Sequence, residues 1–282
     1  MTTPICYCNE KLVPYSEAFI WVNDLGLQRG YGIFDFLRVT ENVPLFCDDH
    51  IDRFYHSAAE MLLPVKQTKE ELTTIIRELV RINALPYSGI KILLTGGYSA
   101  DGYSIASPNL LIIQQVIAPP PTTIFLPGYK LFTYEHQRQL PEVKTTDYLM
   151  AIRLQPWLKE KRGDDILYHQ KGRVTECPRS NFFIVTQNNT LVTPGKNILR
   201  GVTRKQIFTI ASSIGINIEE KDISIEDIQN AKEAFITSST KRIIPVMQVD
   251  TKQFAPFTTD SITEKLFNAF CEWEKTAIKN HI

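Results

Sequence analysis

Neither sign of charge is in excess in this chain: 31 Lys plus Arg offset 31 Asp plus Glu. A neutral balance gives no electrostatic case for nucleic acid or for an acidic membrane surface. No apolar run approaches the roughly 20 residues needed to span a bilayer. The start, MTTPICYCNEKL, lacks the basic stretch and following apolar run of a secretory leader. Cysteine is sparse and odd in number: Cys6, Cys8, Cys47, Cys177 and Cys271. That count argues against a disulfide framework and for a reducing compartment, so a cytoplasmic protein is expected. Cys6 and Cys8 have no second Cys or His pair nearby to complete a zinc site, and the five histidines are dispersed, so no metal site is expected. Internal repeats and low-complexity segments are also lacking.

What is there is ordinary globular material. The 282 residues are 43% apolar and 22% charged, enough for one large or two modest domains. Residues 17–23, 32–39, 43–47, 89–97 and 109–117 read as strands, with 43–47 pairing to 32–39. Residues 48–62 carry Ile51, Phe54, Ala58 and Met61 at helical spacing. Thr68 and Glu71 form a capping box before a second helix. The prolines in 118–128 can continue neither ladder nor helix. They set a domain plan of 1–118, a linker over 119–128, and 129–282. The second part reads as a strand at 129–135, a helix at 146–161 and hairpins over 164–177 and 181–194. Helices at 203–215 and from Ser224, strands at 233–239 and 244–250, and a last helix at 259–279 complete it. Strands and helices do not alternate strictly and hairpins are common, which predicts an α+β fold.

Four features could carry chemistry. Lys144 stands where a strand hands over to a helix. Glu176 lies between two strand segments. Gly201 opens a helix whose first N–H groups, on Val202 and Thr203, need partners. Hydroxyl residues end a strand at 237–240. Each has a bland reading: a lone lysine or glutamate is ordinarily a solvated charge, and a glycine before a helix is ordinarily a cap. Together they meet the needs of pyridoxal 5′-phosphate (PLP). That cofactor takes a lysine amine for its Schiff base, an acid at the pyridine nitrogen, and a helix N-terminus with hydroxyls and a basic side chain, such as Arg53, for the phosphate.

In order along the chain, RGYGIFDFLRV, DDHIDRFYHSA, PEVKTTDYL, GRVTECPRSNFF, ILRGVTRKQI and EAFITSSTKRIIPV resemble the landmarks of the class IV, fold type IV PLP enzymes. That group holds branched-chain aminotransferases, D-amino-acid aminotransferases and aminodeoxychorismate lyases. The resemblance runs from about Ala18 to Asp250. It implies a two-domain α+β fold, a PLP cofactor held by Lys144, and Glu176 at the ring nitrogen. It further implies Leu199 under the ring, and Arg53, Val202, Thr203, Ser239 and Thr240 at the phosphate. Asp147-Tyr148 stands where branched-chain enzymes show Asn-Tyr at longer spacing, and Tyr148 is expected at the ring oxygen. A homodimer is implied too.

The substrates implied are an amino acid and a 2-oxo acid. Gly96-Gly97 occupies the place of the carboxylate-trapping arginine of Bacillus-type D-amino-acid aminotransferases. Arginine is the usual bidentate partner of a carboxylate, and Arg29 and Arg179 are the candidates. Such a pair is similar to a non-Bacillus variety of D-amino-acid aminotransferase. The reading leans to D-amino acids, with branched-chain L-amino acids close behind and an aminodeoxychorismate lyase as a further alternative.

Overall fold

A computed structural model describes residues 4–119, 121–124, 127–258 and 260–280. Of the stretch read as a linker, residues 120, 125 and 126 lie outside the described residues, as do residue 259 of the last predicted helix and the first three residues of the start. The chain forms two compact units: Met1–Pro119 with Val143–Asp147 and Thr276–Ile282, and Pro120–Glu142 with Tyr148–Lys275.

The first unit contains β1 (Ile5–Cys8), β2 (Lys11–Pro14), α1 (Leu25–Arg29), β3 (Gly32–Thr40), β4 (Val43–Pro44), α2 (Cys47–Glu60), α3 (Lys69–Asn83), β5 (Tyr87–Thr95) and β6 (Asn109–Val116). Among the described residues the strands form one sheet in the order β2-β1-β6-β5-β3-β4. The pairings in it are antiparallel, as short connections allow. Leu37, Val39, Ile90, Ile92 and Ile112 from the sheet pack with Ile51, Phe54, Leu72, Ile76 and Leu79 from α2 and α3. Thr68 and Glu71 do form the expected capping box of α3.

Two local expectations are corrected here. Residues 17–23 are not a strand: a 3-10 turn covers Tyr15–Glu17, and Asp24 N–H closes a turn onto the Trp21 carbonyl. Phe19, Trp21 and Val22 are exposed, so their β propensity finds no sheet to join. The lysine segment, assigned from the sequence to the second domain, packs with the first. Phe34 N–H donates to the Lys144 carbonyl and Thr146 N–H to the Gly32 carbonyl, both at 2.9 Å. Thr145 bridges Ile33 and Val143 joins the core. No helix therefore begins at Thr145 and Thr146.

The second unit contains β7 (Tyr129–Glu135), α4 (Leu149–Arg153), α5 (Gln155–Glu160), β8 (Asp165–Gln170), β9 (Arg173–Val174), β10 (Glu176–Cys177), β11 (Ser180–Val185), β12 (Leu191–Thr193), α6 (Val202–Ser213), β13 (Ile218–Glu220), β14 (Ile223–Ser224), α7 (Ile225–Asn230), β15 (Glu233–Ser238), β16 (Arg242–Val249) and β17 (Lys252–Gln253). The long α8 (Ile262–Lys279) belongs to it as far as Lys275. The predicted helix over 146–161 is two short helices, because Pro156 sits in the first turn of α5, where its missing N–H costs nothing. The sheet follows the order β13-β12-β11-β15-β16-β7-β8-β9-β14, with β10 on β11 and β17 on β16. All six residues of β11 are buried, as in a strand covered on both faces.

Candidate active site

The residues singled out from the sequence divide between the two units. In the first, Lys144 is half-buried and its backbone N–H donates to Ser57 Oγ at 3.2 Å. Its Nζ lies 4.6 Å from the centre of the Phe34 ring. Ser57 sits one helical turn beyond Arg53 on α2, which sits one turn beyond His50. That spacing puts all three on one helix face.

Arg53 is held by a residue the sequence reading missed. Its Nε and Nη2 donate to the two carboxylate oxygens of Asp35, each at 2.8 Å. His50 Nδ1 is 2.7 Å from Asp35 Oδ1. Burial would raise the Asp35 carboxyl, but the Arg53 guanidinium and His50 outweigh it and hold Asp35 well below the usual carboxylate range. Burial keeps the pKa of His50 below its ordinary value, against the pull of Asp35. A neutral His50 then carries its proton on Nδ1 and donates it to Asp35. The 3.3 Å approach of Arg53 Nη2 to that same nitrogen is therefore not a second hydrogen bond.

Arg29 is on the surface, at the end of α1. The turn that ends α1 is closed by Gly30 at φ +67, a conformation glycine adopts without penalty. Arg29 Nε donates to the Gly102 carbonyl at 3.0 Å, and it bonds neither Lys144 nor Arg53. Asp101, in the same loop, accepts from the Ser99 and Ser104 hydroxyls and from the Tyr103 and Ser104 N–H groups. Those bonds hold its carboxyl below the ordinary value.

In the second unit Glu176 is 5% exposed and is engaged by Leu199, Arg138 and Asn181. Leu199 N–H donates to Oε2 at 3.0 Å, Arg138 Nη1 donates to Oε1 at 3.1 Å, and Asn181 Nδ2 stands 3.5 Å from Oε2. Asn181 also donates to the Leu199 carbonyl at 2.7 Å. Glu176 and Leu199, 23 positions apart in sequence, are thus directly joined. Arg138 and Asn181 were not foreseen. The register that sets Glu176 opposite Asn181 across β10 and β11 is long-range information, and Arg138 carries no local motif.

Val202 and Thr203 follow directly as the first, buried residues of α6. Gly201 is the N-cap and no side chain caps the helix, so the leading N–H groups lack an intrahelical partner. A Cβ on Gly201 would stand 2.1 Å from Asn181 Oδ1, so that close approach needs glycine. Half-buried Ser239 and exposed Thr240 form the turn after β15, with Ser238 Oγ 3.5 Å from Thr240 Oγ1. Tyr148 is half-buried at the start of α4. Arg179 is exposed on the turn between β10 and β11, and no described residue bonds its side chain.

These residues fit PLP. A buried helix start without a side-chain cap suits a phosphate, and a buried carboxylate fixed by N–H donors suits a pyridine nitrogen. Arg53 Nη1 is not used by Asp35. No group of His, Cys, Asp or Glu able to hold a metal ion occurs among the described residues. No helix among them is long and apolar enough to cross a membrane.

The pattern that defines amino-transferase class IV matches residues 32–249. A Methanocaldococcus jannaschii protein, provisionally named a branched-chain-amino-acid aminotransferase, is 30% identical over 272 residues, 94% of each chain. The D-alanine aminotransferase of Listeria monocytogenes is 29% identical over 272 residues, again 94% of each. The solved branched-chain aminotransferase of Thermoproteus uzoniensis, determined with norvaline, superposes with a TM-score of 0.84 at 25% identity, covering 95% of this chain and 94% of that one. The chain belongs to the class IV aminotransferases, PLP-dependent enzymes that act on amino acids and 2-oxo acids.

Proposed function

We propose that the enzyme transfers an amino group from a D-amino acid to a 2-oxo acid such as 2-oxoglutarate. The observation that carries this reading is Arg179. It is exposed, bonds no described residue, and stands three positions after Glu176 on a turn whose strand register is fixed. A guanidinium without a partner among the described residues, tied by β10 and β11 to the acid assigned to the ring nitrogen, is suited to a substrate carboxylate. Arg29 is the second candidate, with Nε anchored on the Gly102 carbonyl.

When bound, PLP supplies an electron sink for the carbanion left at the substrate Cα. Lys144 would hold the cofactor through its amine, and that amine, when free, would move the proton from the substrate Cα as general base and then acid. Glu176 holds a proton at the pyridine nitrogen, with Arg138 and the Leu199 N–H keeping its carboxylate in place. Arg53, the leading N–H groups of Val202 and Thr203, and the hydroxyls of Ser239 and Thr240 are the groups that would hold the phosphate. Leu199 and Tyr148 would help to hold the cofactor, Leu199 by apolar packing and Tyr148 by its hydroxyl.

A cytoplasmic homodimer completes the reading. Its support is the set of exposed apolar side chains on the first unit, Phe19, Trp21, Val22, Leu27 and Tyr103, an unusual cost for a free surface. The second reading, a branched-chain L-amino-acid aminotransferase, is favoured by Gly96-Gly97, which leaves no carboxylate-trapping arginine at that strand end.

The test is a half-reaction panel on purified, PLP-loaded protein, following the cofactor absorbance after D-Ala, D-Glu, L-Leu or L-Glu. Conversion by the D-amino acids is expected. Conversion by L-Leu and L-Glu alone sinks the reading. Pyruvate release from aminodeoxychorismate without net amination means a lyase. Arg179→Ala raises KM for the amino acid with a smaller change in kcat; an unchanged KM returns Arg179 to the surface.

A further inference from the structure

Asp35 is wholly buried, lies in the middle of β3, and spends both carboxylate oxygens on one guanidinium. A buried carboxylate beside an arginine that serves a phosphate needs explaining, because it cancels part of the charge the phosphate would meet. The geometry supplies the reason. Asp35 takes the Nε and Nη2 edge of Arg53 in a bidentate contact, which fixes the plane of the guanidinium as well as its position. His50 Nδ1, at 2.7 Å, fixes the carboxylate in turn. Among the described residues, nothing bonds the Nη1 amino group. An arginine otherwise carries a large side-chain rotamer entropy, much of which this contact has already removed before any ligand arrives.

We propose that Asp35 is a positioning residue, presenting the Nη1 edge of Arg53 to the cofactor phosphate. This rests on the assignment of Arg53 to that phosphate. The alternative is that Asp35 and Arg53 are only a buried pair that stabilises the first unit. The two differ in what they predict for ligands with and without a phosphate.

The experiment uses the full-length protein stripped of cofactor. Dissociation constants for pyridoxamine 5′-phosphate and for pyridoxamine are measured by fluorescence titration, with circular dichroism to confirm folding. The ratio of the two isolates the phosphate. Arg53→Gln lowers the preference for the phosphorylated ligand by about tenfold or more. Asp35→Asn lowers it about as far, while pyridoxamine affinity stays within about twofold. The double variant matches Arg53→Gln alone, because both act through one guanidinium.

Equal loss of both ligands in Asp35→Asn overturns the proposal in favour of a purely structural pair, and so does an unchanged ratio. A double variant with additive losses shows that Asp35 acts apart from Arg53 and overturns it too. An unchanged ratio in Arg53→Gln is a different failure: it removes Arg53 from the phosphate, and the role of Asp35 goes with it. Should Asp35→Asn not fold, Asp35→Glu keeps the charge, displaces it by one methylene, and is held to the same ratio test.

Discussion

Phe34 holds Lys144 from two sides: its N–H donates to the Lys144 carbonyl at 2.9 Å, and its ring centre lies 4.6 Å from the Lys144 Nζ. With Ser57 Oγ on the Lys144 N–H, three contacts fix a residue that the sequence shows only as a lysine before two threonines. The stem of the Lys144 amine is thereby set before any ligand binds, which suits the attachment and proton-transfer role proposed for it.

Lys144→Ala abolishes covalent trapping of the cofactor. Borohydride reduction followed by intact-mass measurement adds the reduced cofactor to the wild type and not to the variant. A variant that still gains the mass assigns attachment to another lysine.

Asp24→Ala destabilises the protein strongly. Asp24 is fully buried and accepts from Gly26 N–H at 2.7 Å, Thr95 Oγ1 at 2.6 Å and Asn109 Nδ2 at 2.7 Å. Its loss orphans three donors, at roughly 1–3 kcal/mol each, partly recovered by entering water. A loss of about 4 kcal/mol in urea denaturation is expected, and one below about 1 kcal/mol contradicts the account. Because Asp24 caps α1, which ends in Arg29, the KM for the amino acid rises as well.

Gly201→Ala leaves the protein folded but weakens cofactor binding. The new Cβ meets Asn181 Oδ1, which must move, and Asn181 also bonds the Leu199 carbonyl. Overpacking of this kind costs about 1–3 kcal/mol. Equilibrium dialysis of PLP detects it as a weakening of about tenfold or more; unchanged affinity would mean that the turn yields without consequence.

Asp35 gives a pH signature. Its carboxyl is held below the ordinary value of 3.8 in the folded protein. A depressed acid stabilises the fold fully above its unfolded value, and the contribution is lost as pH falls below it. The stability difference between wild type and Asp35→Asn is therefore largest above about pH 5 and narrows below about pH 4. Urea midpoints at pH 5, 4 and 3 measure it. A difference that widens on acidification contradicts the pairing.

Much of the proposed site was named without coordinates. Lys144, Glu176, Val202 and Thr203 stand in short ordered segments, each read from a few neighbours. The capping box of α3 and the strand at 129–135 were legible for the same reason: their determinants are local. Residues 17–23 misled because propensity describes a residue, whereas a strand needs a partner edge. The helix expected from Thr145 failed because the backbone of that segment is claimed by β3.

The sequence by itself determined the cofactor and the α+β class and nominated the reactive groups, since all of these rest on residue types in a fixed order. Only the tertiary structure decided what holds those groups. It joined Arg138 to Glu176 across 38 positions and Asp35 to Arg53 across 18. It also placed Lys144 with the first unit instead of the second. The physical reason is that a charged group leaves water only when its partners are already in place, and those partners are chosen by register and packing between distant segments, which no local pattern encodes.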